Sequence, residues 1–368
     1  MIFRLALTQM LFNAVFQFSN LFINTYLFKE NHDIKLVALY NFYMYVFWGL
    51  CFFIGFRCCE KNTRIGQALS GVSCMIGVGL LMVHVHHPFF LGMFMGATGG
   101  FFWTSYLSTY RSLGKNSENG GMFARVSLLA TLVTIFIPIL FGYILEGAGY
   151  FTGFMVLFVL SIAMISMTFF IPSLSTERIH LTKSSFNHPG FSSVNVLQGF
   201  YFSFVNIAAG LLVYMAGKGE ASIGSFATYY GIVTVALTFL IAYWLPEKYQ
   251  MKAIFVSSLI YILSCTILWN DWSYSIVVFN FLLAFAGPLF LNPVLGMNFS
   301  YINQHFANGE EGLLIRELGL TVGKLFFFGY MAFFGLNIHS LAFVIFLLSA
   351  SLFPLFISFI VKRWNPII

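Results

Sequence analysis

Long apolar runs broken by short basic clusters set the pattern of this chain. Each run is long enough for a helix of about 20 residues, the length that crosses a bilayer core. Hydrophobicity within the runs is continuous rather than alternating, which points to helices and excludes a β-barrel. Cutting the chain at turn signals predicts twelve spans, near residues 5–27, 36–56, 65–84, 88–110, 122–145, 149–172, 193–216, 222–244, 252–270, 273–300, 312–334 and 338–361. The fold class expected is all-α and integral to the membrane.

Composition agrees. Only 8% of the 368 residues are charged and 59% are hydrophobic, whereas a soluble domain carries about 25% charged residues. Net charge is +6, but the basic residues follow the positive-inside pattern. With the N-terminus in the cytoplasm, fourteen of eighteen fall on that side. Both termini are therefore expected there, with the protein in the cytoplasmic membrane as a multi-pass monomer. The charge is topogenic and does not suggest a nucleic-acid partner. Five cysteines build no disulfide framework. No phosphate-binding loop, metalloprotease pair or nucleophile elbow occurs, so neither an enzyme nor a cofactor is expected.

The chain repeats itself. Residues 38–61 align with 227–248 at an offset near 189, and "FMGATGGFFWTSYLSTY" (94–110) aligns with "FAGPLFLNPVLGMNFSY" (285–301) at 191. The same offset places Arg125 on Arg316. Two six-helix units are expected, 1–174 and 192–368, joined by a polar linker over 175–191.

Two parallel six-helix repeats resemble the major facilitator superfamily. The loop "GFRCCEKNTRIG" after the second span is similar to that family's Gly-x-x-x-Asp-Arg-x-Gly-Arg element, with Gly55 in place, Cys59 where the Asp would stand, and Arg57, Lys61 and Arg64 supplying basic charge. "IPILFG" keeps Pro138 and Gly142 of a fifth-span element. The resemblance implies pseudo-symmetric halves that rock around a central cavity lined by spans one, four, seven and ten.

Span one adds chemistry. Gln9, Asn13, Gln17, Asn20 and Asn24 fall within roughly 80° of one another at 100° per residue. Buried carboxamides need partners, so this face implies either a water-filled cavity or interhelical bonding. Span seven carries Asn206 near Asn195, Gly199 and Gly210; span four offers Ser105 and Thr109; span ten offers Asn280 and Asn292 beside Pro288 and Pro293. Arg57, Arg64, Arg125, Arg316 and Glu317 are candidates for an inward gate. Lys324 lies about 12 Å deeper than Arg316 along its helix, placed for gating, coupling or snorkelling. The expected activity is secondary transport of a small neutral or amphipathic solute, by efflux, with a proton or sodium as coupling ion and membrane lipids as neighbours. A lipid flippase and a transport-inactive scaffold or sensor are the alternatives.

Overall fold

The computed structural model describes residues 2–113, 130, 132, 134–175, 186–214, 219–244, 249–268, 274–306, 309–334 and 341–364; within these, the side chains at 2, 110–113, 206–209, 242–244, 341–344 and 361–364 are not among those described. The described elements are helical. They run α1 (Ile2–Phe18), a π turn (Ser19–Ile23), α2 (Asn24–Asn31), α3 (Ile34–Lys61), α4 (Thr63–Met82), α5 (Pro88–Leu113) and α6 (Ile137–Met167). They continue as α7 (Pro189–Ile207), a second π turn (Ala208–Leu212), α8 (Glu220–Trp244), α9 (Gln250–Ile267), α10 (Ser275–His305), α11 (Gly309–Phe334), α12 (Leu341–Ser351) and α13 (Phe353–Trp364).

Eight of the described helical segments are long and apolar enough to cross a membrane. Span boundaries account for part of the difference from twelve. Span one is divided by its π turn, and the last predicted span breaks at Leu352, two residues before Pro354. Spans five and six share the single element α6, whose two arms meet at Gly149 (φ 78°, ψ 170°). That backbone is open only to glycine. Local capping sets other ends: Asp33 accepts from the Lys35 amide at the start of α3, and Asn62 from the Arg64 amide at the start of α4. Pro288 and Pro293 lie inside α10, and the helix runs through both.

The chain forms two compact units. Unit 1 comprises Met1–His180 with Gly219–Ser225, and unit 2 comprises Leu181–Lys218 with Phe226–Ile368. The first turns of α8 therefore sit in unit 1, a detail absent from a simple division at the linker.

In a lipid solvent, close packing rather than water exclusion joins helices, and small residues allow it. Unit 1 shows this where Gly92, Gly96 and Gly100 of α5 press on α3. A Cβ at Gly96 would stand 2.1 Å from the Met44 carbonyl, and one at Gly100 2.5 Å from the Trp48 carbonyl. Hydroxyls add bonds across the same unit: Thr104 Oγ1 donates to the Phe52 carbonyl at 3.0 Å and Ser70 Oγ to that of Thr98 at 2.7 Å. Unit 2 repeats the device between α7 and α11. A Cβ at Gly199 would lie 2.0 Å from the Leu320 carbonyl, and one at Gly323 1.9 Å from that of Val196. Gly92, Gly96 and Gly100 have Gly-x-x-x-Gly spacing, as do Gly319 and Gly323 of α11.

Candidate functional site

In unit 1, α1 touches three helices. Phe12 stacks on Phe102 of α5, Phe16 meets Trp48 of α3, and Phe18 meets Phe141 of α6. The carboxamides divide among these contacts. Gln9 is buried and accepts from the Tyr106 hydroxyl at 2.8 Å. Asn24 is buried and accepts from Asn41 Nδ2 of α3 at 2.7 Å. Asn20 is buried within the π turn, its Oδ1 without a partner. Asn13 and Gln17 are half-buried, and Gln17 Oε1 also lacks a partner.

The single face expected from 100° per residue does not extend along the whole stripe. A π turn inserts one extra residue, so the helix beyond it is offset by roughly 100° from the α-helical phase. Asn24 is thereby turned to α3. Counted by phase up to Phe18, Phe12 and Phe16, which meet α5 and α3, lie roughly 60–140° from Asn13 and Gln17, and Gln9, which also meets α5, lies roughly 40° from Asn13.

Further along unit 1, Ser105 is buried and its hydroxyl donates to the Thr63 carbonyl. Thr109 is buried with no partner for its hydroxyl. Thr63 Oγ1, Ser108 Oγ and both polar atoms of Gln67 are in the same condition. Arg57 is exposed and pairs with Glu60 at 3.1 Å. Arg64 Nε donates to the Ile171 carbonyl at 2.7 Å, tying the start of α4 to the chain after α6. Arg125 lies outside the described residues.

Unit 1 also holds an ion pair that sequence reasoning missed. Lys29 Nζ meets Glu220 Oε1 at 2.8 Å, with Glu220 buried and Lys29 half-exposed. Lys29 also lies over the Tyr150 ring at 5.6 Å, and Glu146 Oε2 accepts the Ala221 amide at 3.0 Å, capping α8. Gly224 seats α8 on α6, because a Cβ there would stand 2.3 Å from the Pro138 carbonyl. Only the acidic first turn of α8 pointed to this contact, and nothing in the sequence paired it with Lys29.

In unit 2, three carboxamides meet. Asn298 Nδ2 of α10 donates to Asn195 Oδ1 at 3.1 Å and to Gln198 Oε1 at 3.2 Å, both on α7. All three residues are fully buried, while Gln198 Nε2 and Asn298 Oδ1 have no partner. Asn206 belongs to α7, but its side chain is not among those described. Asn280 bonds back to the Ile276 carbonyl at 2.9 Å, and Asn292 reaches Thr238 Oγ1 of α8 at 3.3 Å.

α11 carries the charge. Glu310, Glu317, Thr321 and Lys324 are buried and lie within roughly 60° on one face. Arg316 Nη1 stands 3.9 Å from Glu317 Oε2. Charges at such depth are costly and characteristically functional in membrane proteins. Among the described residues no group of three or more His, Cys, Asp and Glu side chains could hold a metal ion.

At the start of α7, His188 Nδ1 lies 2.9 Å from the Tyr301 hydroxyl, and Tyr301 stacks on His305 at 4.1 Å. Burial first, then the neighbouring His305, push the His188 imidazole below its ordinary range, while Glu311 opposes them. A histidine with a lowered folded-state pKa binds its proton more readily when unfolded. Its stabilising share is complete above about pH 6.5, the unfolded value, and declines as pH falls through that value to the folded one. Thermal melts of the purified protein are expected to drop between pH 7.5 and 5.5, with a shallower drop in His188→Gln. Equal slopes would assign the pH dependence elsewhere.

No family model matches the chain. The uncharacterized protein YqgE of Bacillus subtilis (strain 168) is 21% identical over 331 residues, spanning 83% of this chain and 76% of that protein. Among solved structures, a POT family transporter in complex with 5-aminolevulinic acid superposes with a TM-score of 0.75 at 10% identity, over 99% of this chain and 96% of that one. The human organic anion transporter MFSD10 superposes with a TM-score of 0.68 at 13% identity, over 98% of each chain. The fold is thus that of multi-pass membrane transporters. In particular, it is the major facilitator fold.

Proposed function

We propose that the protein moves a small neutral or amphipathic solute by alternating access in the cytoplasmic membrane, with its termini in the cytoplasm and export as the direction. Gln17 carries this reading: a buried, unpartnered carboxamide oxygen roughly 100° around α1 from Phe16, which meets α3, and roughly 140° from Phe12, which meets α5. Beside it, half-buried Asn13 widens the hydrogen-bonding face. Apolar surroundings with a few placed polar groups suit a ligand that is itself largely apolar. Buried Glu317 and Lys324 are the groups through which an ion gradient would act.

The test is solute flux in vesicles reconstituted with the purified chain, using a panel of neutral, amphipathic, anionic and cationic solutes under imposed proton or sodium gradients. Gradient-driven flux of neutral or amphipathic solutes is expected. Flux confined to charged solutes overturns the substrate class. Movement of labelled lipid between leaflets without solute flux assigns the fold to a flippase here, and neither activity favours a scaffold.

A further inference from the structure

The first helix of each unit is interrupted by a five-residue π turn, Ser19–Ile23 in unit 1 and Ala208–Leu212 in unit 2. They stand 189 positions apart, within the offsets that align the sequence repeat. Their residues, "SNLFI" and "AAGLL", share little. The two repeats thus agree on the place of the turn and not on its composition. Asn206 stands two positions before its turn, as Gln17 does before the other. π turns are uncommon, and they are frequent at functional sites because they re-aim the side chains on either side of them.

Side chains hold the turn of unit 1. The Asn24 amide bonds the Leu21 carbonyl, so the Asn20 carbonyl has lost the partner an α-helix would supply. Asn24 Nδ2 takes that carbonyl instead, at 2.6 Å. Asn24 Oδ1 is fixed in turn by Asn41 Nδ2, whose other bond goes to the Val37 carbonyl at 2.8 Å. Thr25 Oγ1 donates to the Leu21 carbonyl at 2.7 Å, and the Ser19 and Tyr40 hydroxyls share a bond of 2.8 Å. Ser19, Asn24, Thr25, Tyr40 and Asn41 are all buried. A side chain takes the carbonyl that the Asn24 backbone amide would hold in an α-helix, and a neighbouring helix holds that side chain in place.

We propose that the π turn sets the helical phase at which α1 presents Asn13 and Gln17, and that Ser19, Asn24, Tyr40 and Asn41 are positioning residues that keep the turn from relaxing into continuous α-helix. In the relaxed form the Asn24 amide takes the Asn20 carbonyl. The stretches before and after the turn then rotate against each other by roughly 100°. Asn13 and Gln17 move toward α3, or Asn24 moves onto their sector. That the sector faces solute rests on the transport reading, but the phase itself is measurable with no solute present.

The experiment places single cysteines at positions 10 to 17 of the full chain in lipid nanodiscs. A methanethiosulfonate reagent modifies them, and mass spectrometry resolves each site, so the native cysteines stay in place. Reactivity maxima at 13 and 17 are expected in the parent. In Asn24→Ala and Asn41→Val backgrounds the maxima shift by one residue, with several-fold loss of reactivity at 13 and 17. Asn41→Gln, which keeps a donor, restores part of the parent pattern. Maxima fixed at 13 and 17 in monodisperse Asn24→Ala protein overturn the proposal. Should that variant fail to fold, Tyr40→Phe removes only a hydroxyl and decides the matter by the same readout, an unchanged pattern again overturning it. A phase shift without solute flux in any assay upholds the positioning role and discards the transport reading. Flux together with an unmoved pattern does the reverse.

Discussion

Gly323→Val is expected to destabilise the folded protein strongly, through loss of the α7–α11 contact. The new Cβ would stand 1.9 Å from the Val196 carbonyl and 2.7 Å from the Phe200 amide nitrogen. Those neighbours are backbone, which cannot rotate aside, so the helices must separate. Overpacking of a core costs about 1–3 kcal/mol, and a clash with helix backbone belongs at or above the top of that range. Separation also loosens Gly199 from the Leu320 carbonyl and Gly319 from Asn195. In detergent the variant should lose its monodisperse elution peak and melt many degrees lower. Gly79→Val is the control, since a Cβ there meets nothing within 4 Å. Equal behaviour of the two variants would mean that the glycine contact does not hold unit 2 together.

Asn13→Leu combined with Gln17→Leu is expected to reduce solute flux at least tenfold and leave the melting temperature almost unmoved. Both residues are half-buried, and Gln17 Oε1 has no partner to lose. Replacing an unsatisfied carboxamide by an apolar side chain of similar size is nearly neutral for stability. The same change removes hydrogen bonds to a solute, each of which contributes about 0.5–1.5 kcal/mol. Gln9→Leu should behave in the opposite way, because it removes the carboxamide oxygen that accepts from the Tyr106 hydroxyl and so lowers stability. Parent-like flux in the double variant would remove α1 from the transport reading.

Much of the fold was legible in the sequence because apolar runs and basic clusters are strong signals. The repeat is a pattern of the sequence itself, in which aligned positions such as Tyr110 over Tyr301 share a register. Finer features depended on geometry that leaves little trace. A π turn costs one residue of phase and has no composition of its own, so Asn24 was grouped with Gln17 when it faces Asn41. Gly92, Gly96 and Gly100 could have been found by their four-residue spacing, as could Gly319 and Gly323. The Lys29–Glu220 pair could not, because neither residue carries a mark of its partner. Buried Glu317 and Lys324 were visible as charges within an apolar run, and charge is what a hydrocarbon surround exposes most clearly.

The seat of α8 in unit 1 has a consequence for how the protein is made. Lys29 and Glu220 are separated by 191 residues, so the ribosome has built all of the first seven predicted spans before Glu220 exists. During that interval the first unit lacks the Glu220 carboxylate that meets Lys29 and the Ala221 amide that meets Glu146. Its assembly is completed by a stretch of chain that arrives from the second repeat. A nascent chain halted before Glu220 would therefore be an unfinished first unit, more open to proteolysis than its 180 leading residues suggest.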